Sequence, residues 1–354
     1  MREEPDVESQ VLLLATGDTI AYSTGVGREG VASGAQLLAD VPQWWRAARV
    51  VVEDVPAEPS WDMSTATMLA LARRARAALV DDGFDGVVVS HGADTLEETA
   101  YLSDLLAGPA VSRGTIVFTS AVRQRDALSA DGPRNLAGAI AAAVDPALRG
   151  AGVLACLDDE LHAARWVGRV DATTVRGFSS APYPLLGRVV DAGGEQAGLR
   201  VEALGGPPPR PPAGYGEPET GVAVVRTYPG MGAEQLTAVV DAGARGVVLE
   251  GTGSGNIPVS LFAAIGDLLE WDIPVVVASV CRTREVDLTE LPPPAGLAGR
   301  LGAIGARGLP ATKARYALMV ALGGATRFGG GVAAARDWFG RIEPTGPAAG
   351  GQPG

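Results

Sequence analysis

Val11-Leu12-Leu13-Leu14-Ala15-Thr16-Gly17-Asp18-Thr19-Ile20 is the stretch that decides the fold. Its apolar half is short and unbroken, without the alternation of a strand that has one wet face, so both faces must be covered. That describes a central strand of a parallel sheet, Val11–Ala15, running into a polar turn. Downstream the pattern repeats: Val50–Glu53, Gly86–Ser90, Thr115–Thr119 and Gly152–Leu157 read as strands. Ser64–Leu79, Glu97–Leu106 and Pro133–Ala143 carry helical periodicity between them. After residue 220 it restarts with Gly221–Arg226, Val247–Glu250 and Pro274–Ala278 as strands. Helices there are expected from Ala233, from Val259, and over Ala311–Leu322 and Gly331–Ile342.

Strands alternating with helices predict an α/β fold of two domains. The first, 10–204, is a parallel-sheet domain with helices on both faces; the second, 221–342, is a smaller parallel α/β domain. Between them 205–220 contains Pro207–Pro209, Pro211 and Pro212, a density that breaks helix and strand alike and reads as a linker. The Gly-, Pro- and Ala-rich tail, 343–354, reads as disordered.

Composition removes several classes. Net charge is -12 with no basic cluster, a surface that repels phosphate backbones and anionic lipid, so neither nucleic acid nor membrane is an expected partner. No apolar run is long enough to span a bilayer, and the polar, acidic start Met1–Gln10 is unlike a signal peptide, so a cytoplasmic location is expected. His91 and His162 are the only histidines and lack ligand-spaced partners; no metal or cofactor is expected. Cys156 and Cys281 sit in apolar stretches and read as buried, reduced thiols. Gly25-Val26-Gly27-Arg28-Glu29-Gly30 fits a dinucleotide fingerprint, but the preceding strand ends at Ala15, too far upstream.

Ligands of open α/β sheets bind beyond the carboxyl ends of the strands. Two polar clusters fall there: Thr16–Thr19 after the first strand and His91–Thr95 after Gly86–Ser90. Plainer readings compete. Thr95 with Glu98 fits a helix capping box, Gly17 and Asp18 fit a solvent-facing turn, His91 fits a packed turn and His162 a surface segment.

Ala15-Thr16-Gly17-Asp18-Thr19-Ile20 resembles the ATGGTI signature of bacterial-type L-asparaginases, and His91–Ala100 resembles their HGTDTMEETA. The likeness continues in family order through Phe118–Leu136, Asp158–Arg169, Gly251–Asn256 and Pro310–Arg315. The resemblance implies a tetramer of two intimate dimers that hydrolyses the side-chain amide of a small amino acid, asparagine, to aspartate and ammonia. By motif position, Thr19 would be the nucleophile forming an acyl-enzyme. Ser60, beside Trp61, would bind the substrate α-carboxylate, Asp94 the α-amino group, and Asn256 would reach into a neighbouring subunit's site. A threonine hydroxyl attacks only when held in geometry beside a proton acceptor, and an ammonium entering a crevice calls for a carboxylate.

Four positions depart from the family pattern. Ala93 stands for the threonine of HGTDT, and Arg169 for a lysine; with the aspartate these would handle protons. Arginine cannot relay one, and Lys313 is the only lysine in the chain. The segment 21–34, matching a mobile lid, offers only Tyr22 as a catalytic tyrosine. Asp18 replaces the second glycine of TGGT. Slow or altered turnover is therefore expected, with a non-catalytic amino-acid-binding homologue as the alternative. An amidotransferase subunit fits less well, because the first motif begins at residue 15.

Overall fold

The computed structural model describes residues 9–25, 29–193, 198–282, 288, 291 and 296–343. The centre of the glycine-rich run, 26–28, and the tail from 344 lie outside that set. The chain divides between Pro208 and Pro209, inside the proline-rich run, into two compact units.

The first unit is built on one eight-stranded sheet. In chain order its strands are β1 (Gln10–Ala15), β2 (Arg49–Asp54), β3 (Gly86–Ser90), β4 (Thr115–Thr119), β5 (Val153–Leu157), β6 (Glu160–Ala163), β7 (Gly187–Asp191) and β8 (Leu199–Ala203). Their spatial order is β8-β7-β6-β5-β4-β3-β1-β2. The strands read from the sequence, β1 to β5, are the parallel ones. Three antiparallel strands extend the sheet beyond them. The first of these folds back through Asp158-Asp159, where φ is 48° and 62°; two left-handed residues make the tight hairpin turn that Asp tolerates.

The unbroken apolar run of β1 now has its cause. Val11 and Leu13 belong to a core that includes Leu136, Ala139, Ile140 and Ala143 of the helix Gly132–Val144. Leu12 and Leu14 belong to a second core with Leu71, Ala75 and Ala78 of Thr65–Val80, and with Leu96 and Ala100 of Leu96–Ala107. Alternate side chains point to opposite faces of a strand, so two helical layers bury all four, each to 1% exposure or less.

The second unit carries a four-stranded parallel sheet: β9 (Val222–Arg226), β10 (Gly246–Gly251), β11 (Val275–Ser279) and β12 (Ile304–Gly305), adjacent in that order. Helices Glu234–Asp241, Phe262–Glu270, Ala311–Leu322 and Gly331–Gly340 surround it. Among the described residues no helix is long and apolar enough to cross a membrane.

Two sequence expectations are corrected here. His162 is no surface residue: it lies on β6, 1% exposed, with Nδ1 2.8 Å from the Ser180 hydroxyl oxygen. Its period-two pattern went unread because Glu160 and His162 make the strand look polar. Cys156 is buried as expected, but Cys281 is exposed, just past the end of β11.

Candidate active site

Adjacent parallel strands bring their carboxyl ends together. β1 pairs with β3 so that Ala15 lies opposite Ser90, and Thr16 seals the junction by donating its amide and its hydroxyl to the Ser90 carbonyl at 3.2 and 2.9 Å. Both predicted polar clusters therefore leave the sheet at neighbouring points on one edge.

Gly17 and Asp18 follow with φ of 87° and 69°, a left-handed pair that reverses the chain and presents Thr19. The Asp18 side chain does not face solvent, contrary to the turn reading. Its Oδ1 accepts the Thr19 amide at 2.6 Å and the Thr19 hydroxyl at 3.1 Å, while Oδ2 accepts the Ser60 amide at 2.8 Å. Burial opposes the charge on Asp18, yet the Ser60 and Thr19 amides outweigh it and hold the carboxyl below its ordinary pKa.

Ser60 opens a short 3-10 turn, Ser60–Asp62, and is 1% exposed. A Cβ on Gly92 would fall 2.1 Å from both Asp18 Oδ2 and Ser60 Oγ, so only glycine lets these two groups pack against the second loop. Thr95 completes the tie by donating its hydroxyl to the Ser60 carbonyl at 2.7 Å. This overturns the capping-box reading: Thr95 makes no side-chain cap bond to its helix, because its hydroxyl anchors the Ser60 turn instead. One hydrogen-bonded chain, Thr19–Asp18–Ser60–Thr95, thus links the two clusters.

Asp94, next to Thr95, is paired with Arg169, whose Nη1 donates to Oδ1 at 2.5 Å. Arg169 lies on a two-residue strand, Gly168–Arg169, and its Nη2 donates to the Ala172 carbonyl at 2.9 Å. Ala93, 7% exposed, belongs to the core cluster around β3. His91 is fully buried; burial pushes its pKa down, and its Nδ1 lies 2.8 Å from the Gly92 carbonyl. A carbonyl only accepts, so the Nδ1 of the ring carries a proton.

A cavity of about 410 Å³ opens over Thr19, walled by Tyr22, Val31, Pro59, Trp61 and Gln124. Tyr22 sits on a two-residue ribbon paired with Gly30–Val31, and Trp61 is 70% exposed. Sequence reasoning had not named Gln124 or Val31. Val31 lies on the ribbon strand beside Tyr22 and Gln124 within the matched stretch Phe118–Leu136, but neither is a position the motifs single out; among the described residues the Thr24 hydroxyl, donating to Gln124 Oε1 at 2.8 Å, ties that side chain to the segment after Thr19.

Asn256 lies in the second unit, exposed in the tight turn after β10. There its amide donates to the Thr252 carbonyl at 2.7 Å and its carbonyl accepts the Thr252 amide at 3.1 Å. Among the described residues no group of three or more His, Cys, Asp or Glu side chains could hold a metal ion.

A doubly covered, mostly parallel sheet that delivers a threonine hydroxyl to a cleft at its carboxyl edge defines an α/β protein of the kind that binds small ligands there. Similarity to known proteins gives the family. Residues 10–199 match the model "Asparaginase, N-terminal", and residues 221–329 match "Glutaminase/Asparaginase C-terminal domain". The chain belongs to the asparaginase family. It is 32% identical over 263 residues to L-asparaginase 2 of Bacillus subtilis, covering 70% of this chain and 66% of that one. It is 30% identical to the glutaminase-asparaginase of Pseudomonas fluorescens, covering 77% and 75%. The crystal structure of a probable cytoplasmic L-asparaginase from Campylobacter jejuni superposes with a TM-score of 0.79 at 29% identity, covering 94% of this chain and 99% of that one.

Proposed function

We propose that the chain is an asparaginase-like amidohydrolase that cleaves the side-chain amide of asparagine or a related small amide, with Thr19 as nucleophile. The observation that carries this reading is the Thr19 hydroxyl, held in the lining of the cavity by its bond to Asp18. The Thr19 oxygen bonds to the amide carbon, the C–N bond breaks, and ammonia leaves with the hydroxyl proton. Water then opens the ester to give the acid and restore the hydroxyl. Asp18 accepts a hydrogen bond from Thr19, but a carboxyl held below its ordinary range retains a proton poorly, so it orients the nucleophile rather than serving as a strong base. Tyr22, on the same cavity wall, is the assisting hydroxyl closest in sequence to Thr19.

Ser60 and Trp61 are proposed to contact the substrate, with Asp94 facing its amino end beside Ala93 and Arg169. Asn256 is proposed to complete the site of a neighbouring subunit in a dimer of intimate dimers. Domain limits of 10–204 and 221–342 around a linker belong to the same proposal. The C. jejuni relative's description as cytoplasmic supports that compartment for this chain.

Ammonia release from asparagine, glutamine and small carboxamides, measured beside Thr19→Ala, tests the reading. Release that disappears with the hydroxyl is the expected result. Aspartate binding without release from any amide would make the chain a binding homologue instead.

A further inference from the structure

Three donors at the floor of the site point at one carboxylate, and that carboxylate belongs to the chain. Asp18 accepts the Thr19 amide, the Thr19 hydroxyl and the Ser60 amide. Gly92 leaves just enough room for it to press against the Ser60 side chain. Nearby, the carboxylate of Asp94 is already paired with the Arg169 guanidinium, which is fixed in turn by the Ala172 carbonyl. Among the described residues lining the cavity, none is basic. In the substrate placement proposed above, a free amino acid would bring its carboxylate to the Ser60 turn, where Asp18 already sits, and its ammonium to Asp94, which Arg169 already pairs.

We propose that this site takes primary carboxamides that carry no carboxylate, because Asp18 fills the anion-accepting donors of Ser60 and Thr19. The inference rests on the substrate placement at Ser60 proposed above, and on Thr19 chemistry for its turnover readout only; occupancy of the donors is a property of binding. A substrate carboxylate within about 4 Å of Asp18 meets like-charge repulsion that corresponds to roughly tenfold to several-hundredfold in affinity for a partly exposed site. It also loses the amides it would need. Amine-bearing or neutral amides escape both penalties, and the aromatic walls of Tyr22 and Trp61 suit them.

The test compares asparagine with β-alaninamide, which is asparagine without its carboxylate, and with asparagine methyl ester, in which that carboxylate is capped. Ammonia release would be measured for the unsubstituted protein, Asp18→Asn and Asp18→Gly; φ of 69° suits glycine and is tolerated by asparagine, so both variants should fold. Expected is a kcat/KM at least about tenfold higher for β-alaninamide and the ester than for asparagine, with the ratio collapsing or inverting in Asp18→Gly. An asparagine preference in the unsubstituted protein, or a ratio indifferent to Asp18, overturns the proposal. If no amide is cleaved at all, the Thr19 reading fails and calorimetry decides this one. Aspartate binding gained by Asp18→Gly upholds it, and equal aspartate binding with and without Asp18 overturns it.

Discussion

Ala93→Thr combined with Arg169→Lys is expected to raise amide turnover by about a hundredfold or more. A positioned acid–base group contributes roughly 10²–10⁴ in rate, and Arg169 cannot be one because its guanidinium stays charged. Arg169 instead spends one arm on Asp94 and another on Ala172. A lysine there keeps reach to Asp94 while gaining a proton it can release. The hydroxyl introduced at position 93, one residue from Asp94, supplies the relay. The two changes act as one unit, so each alone should gain little. The structural costs are bounded: position 93 is 7% exposed, and a hydroxyl left unpaired there costs about 1–3 kcal/mol. Loss of the bond to the Ala172 carbonyl costs about 0.5–1.5 kcal/mol. Ammonia release by all four combinations, with urea denaturation to verify folding, is the assay. The double variant showing no gain while remaining folded, in a background where Thr19→Ala abolishes release, refutes the reasoning.

Asp18→Asn tests the electrostatics through stability. Because the folded pKa lies below the unfolded one, Asp18 stabilises the fold above its ordinary value of 3.8, and that contribution is lost as pH falls through the folded pKa. Denaturation midpoints of the unsubstituted protein and the variant should therefore differ most near neutral pH and converge in acid. Leu13→Ala, at a residue with 0% exposure on β1, one strand in from the sheet edge, should cost about 2–5 kcal/mol in urea denaturation. A thiol reagent should label Cys281 in the native protein and reach Cys156 only after unfolding, as mass spectrometry of labelled peptides would report, because burial pushes the Cys156 thiol strongly upward.

The parallel strands were legible because complete burial forces an unbroken apolar run, as in Val87-Val88-Val89 of β3. β7 and β8 hid because they mix exposed Arg188 and Arg200 with apolar neighbours, and half-wet strands resemble loops when read singly. Thr19, Asp94 and Ser60 were legible as motif positions. Their bonding was not. Thr95 followed by Glu98 satisfies every local rule for a cap, and only the nearness of the Ser60 carbonyl, 35 residues earlier, redirects its hydroxyl.

Asp18 meets the same limit. Sequence allows an aspartate at a left-handed turn but cannot say where its carboxylate turns; that depends on an amide 42 residues away. Once placed, it gives the family departures a common electrostatic sense. Arg169 neutralises Asp94, and Asp18 occupies the donors of Ser60 and Thr19. With a substrate placed as proposed, each half of a zwitterion's recognition is thereby satisfied from within. A zwitterion would have to displace both internal partners, exchanging contacts already made for equivalent ones and gaining little free energy in the exchange. Thr19, the proposed nucleophile, still lines the cavity with its hydroxyl held by Asp18.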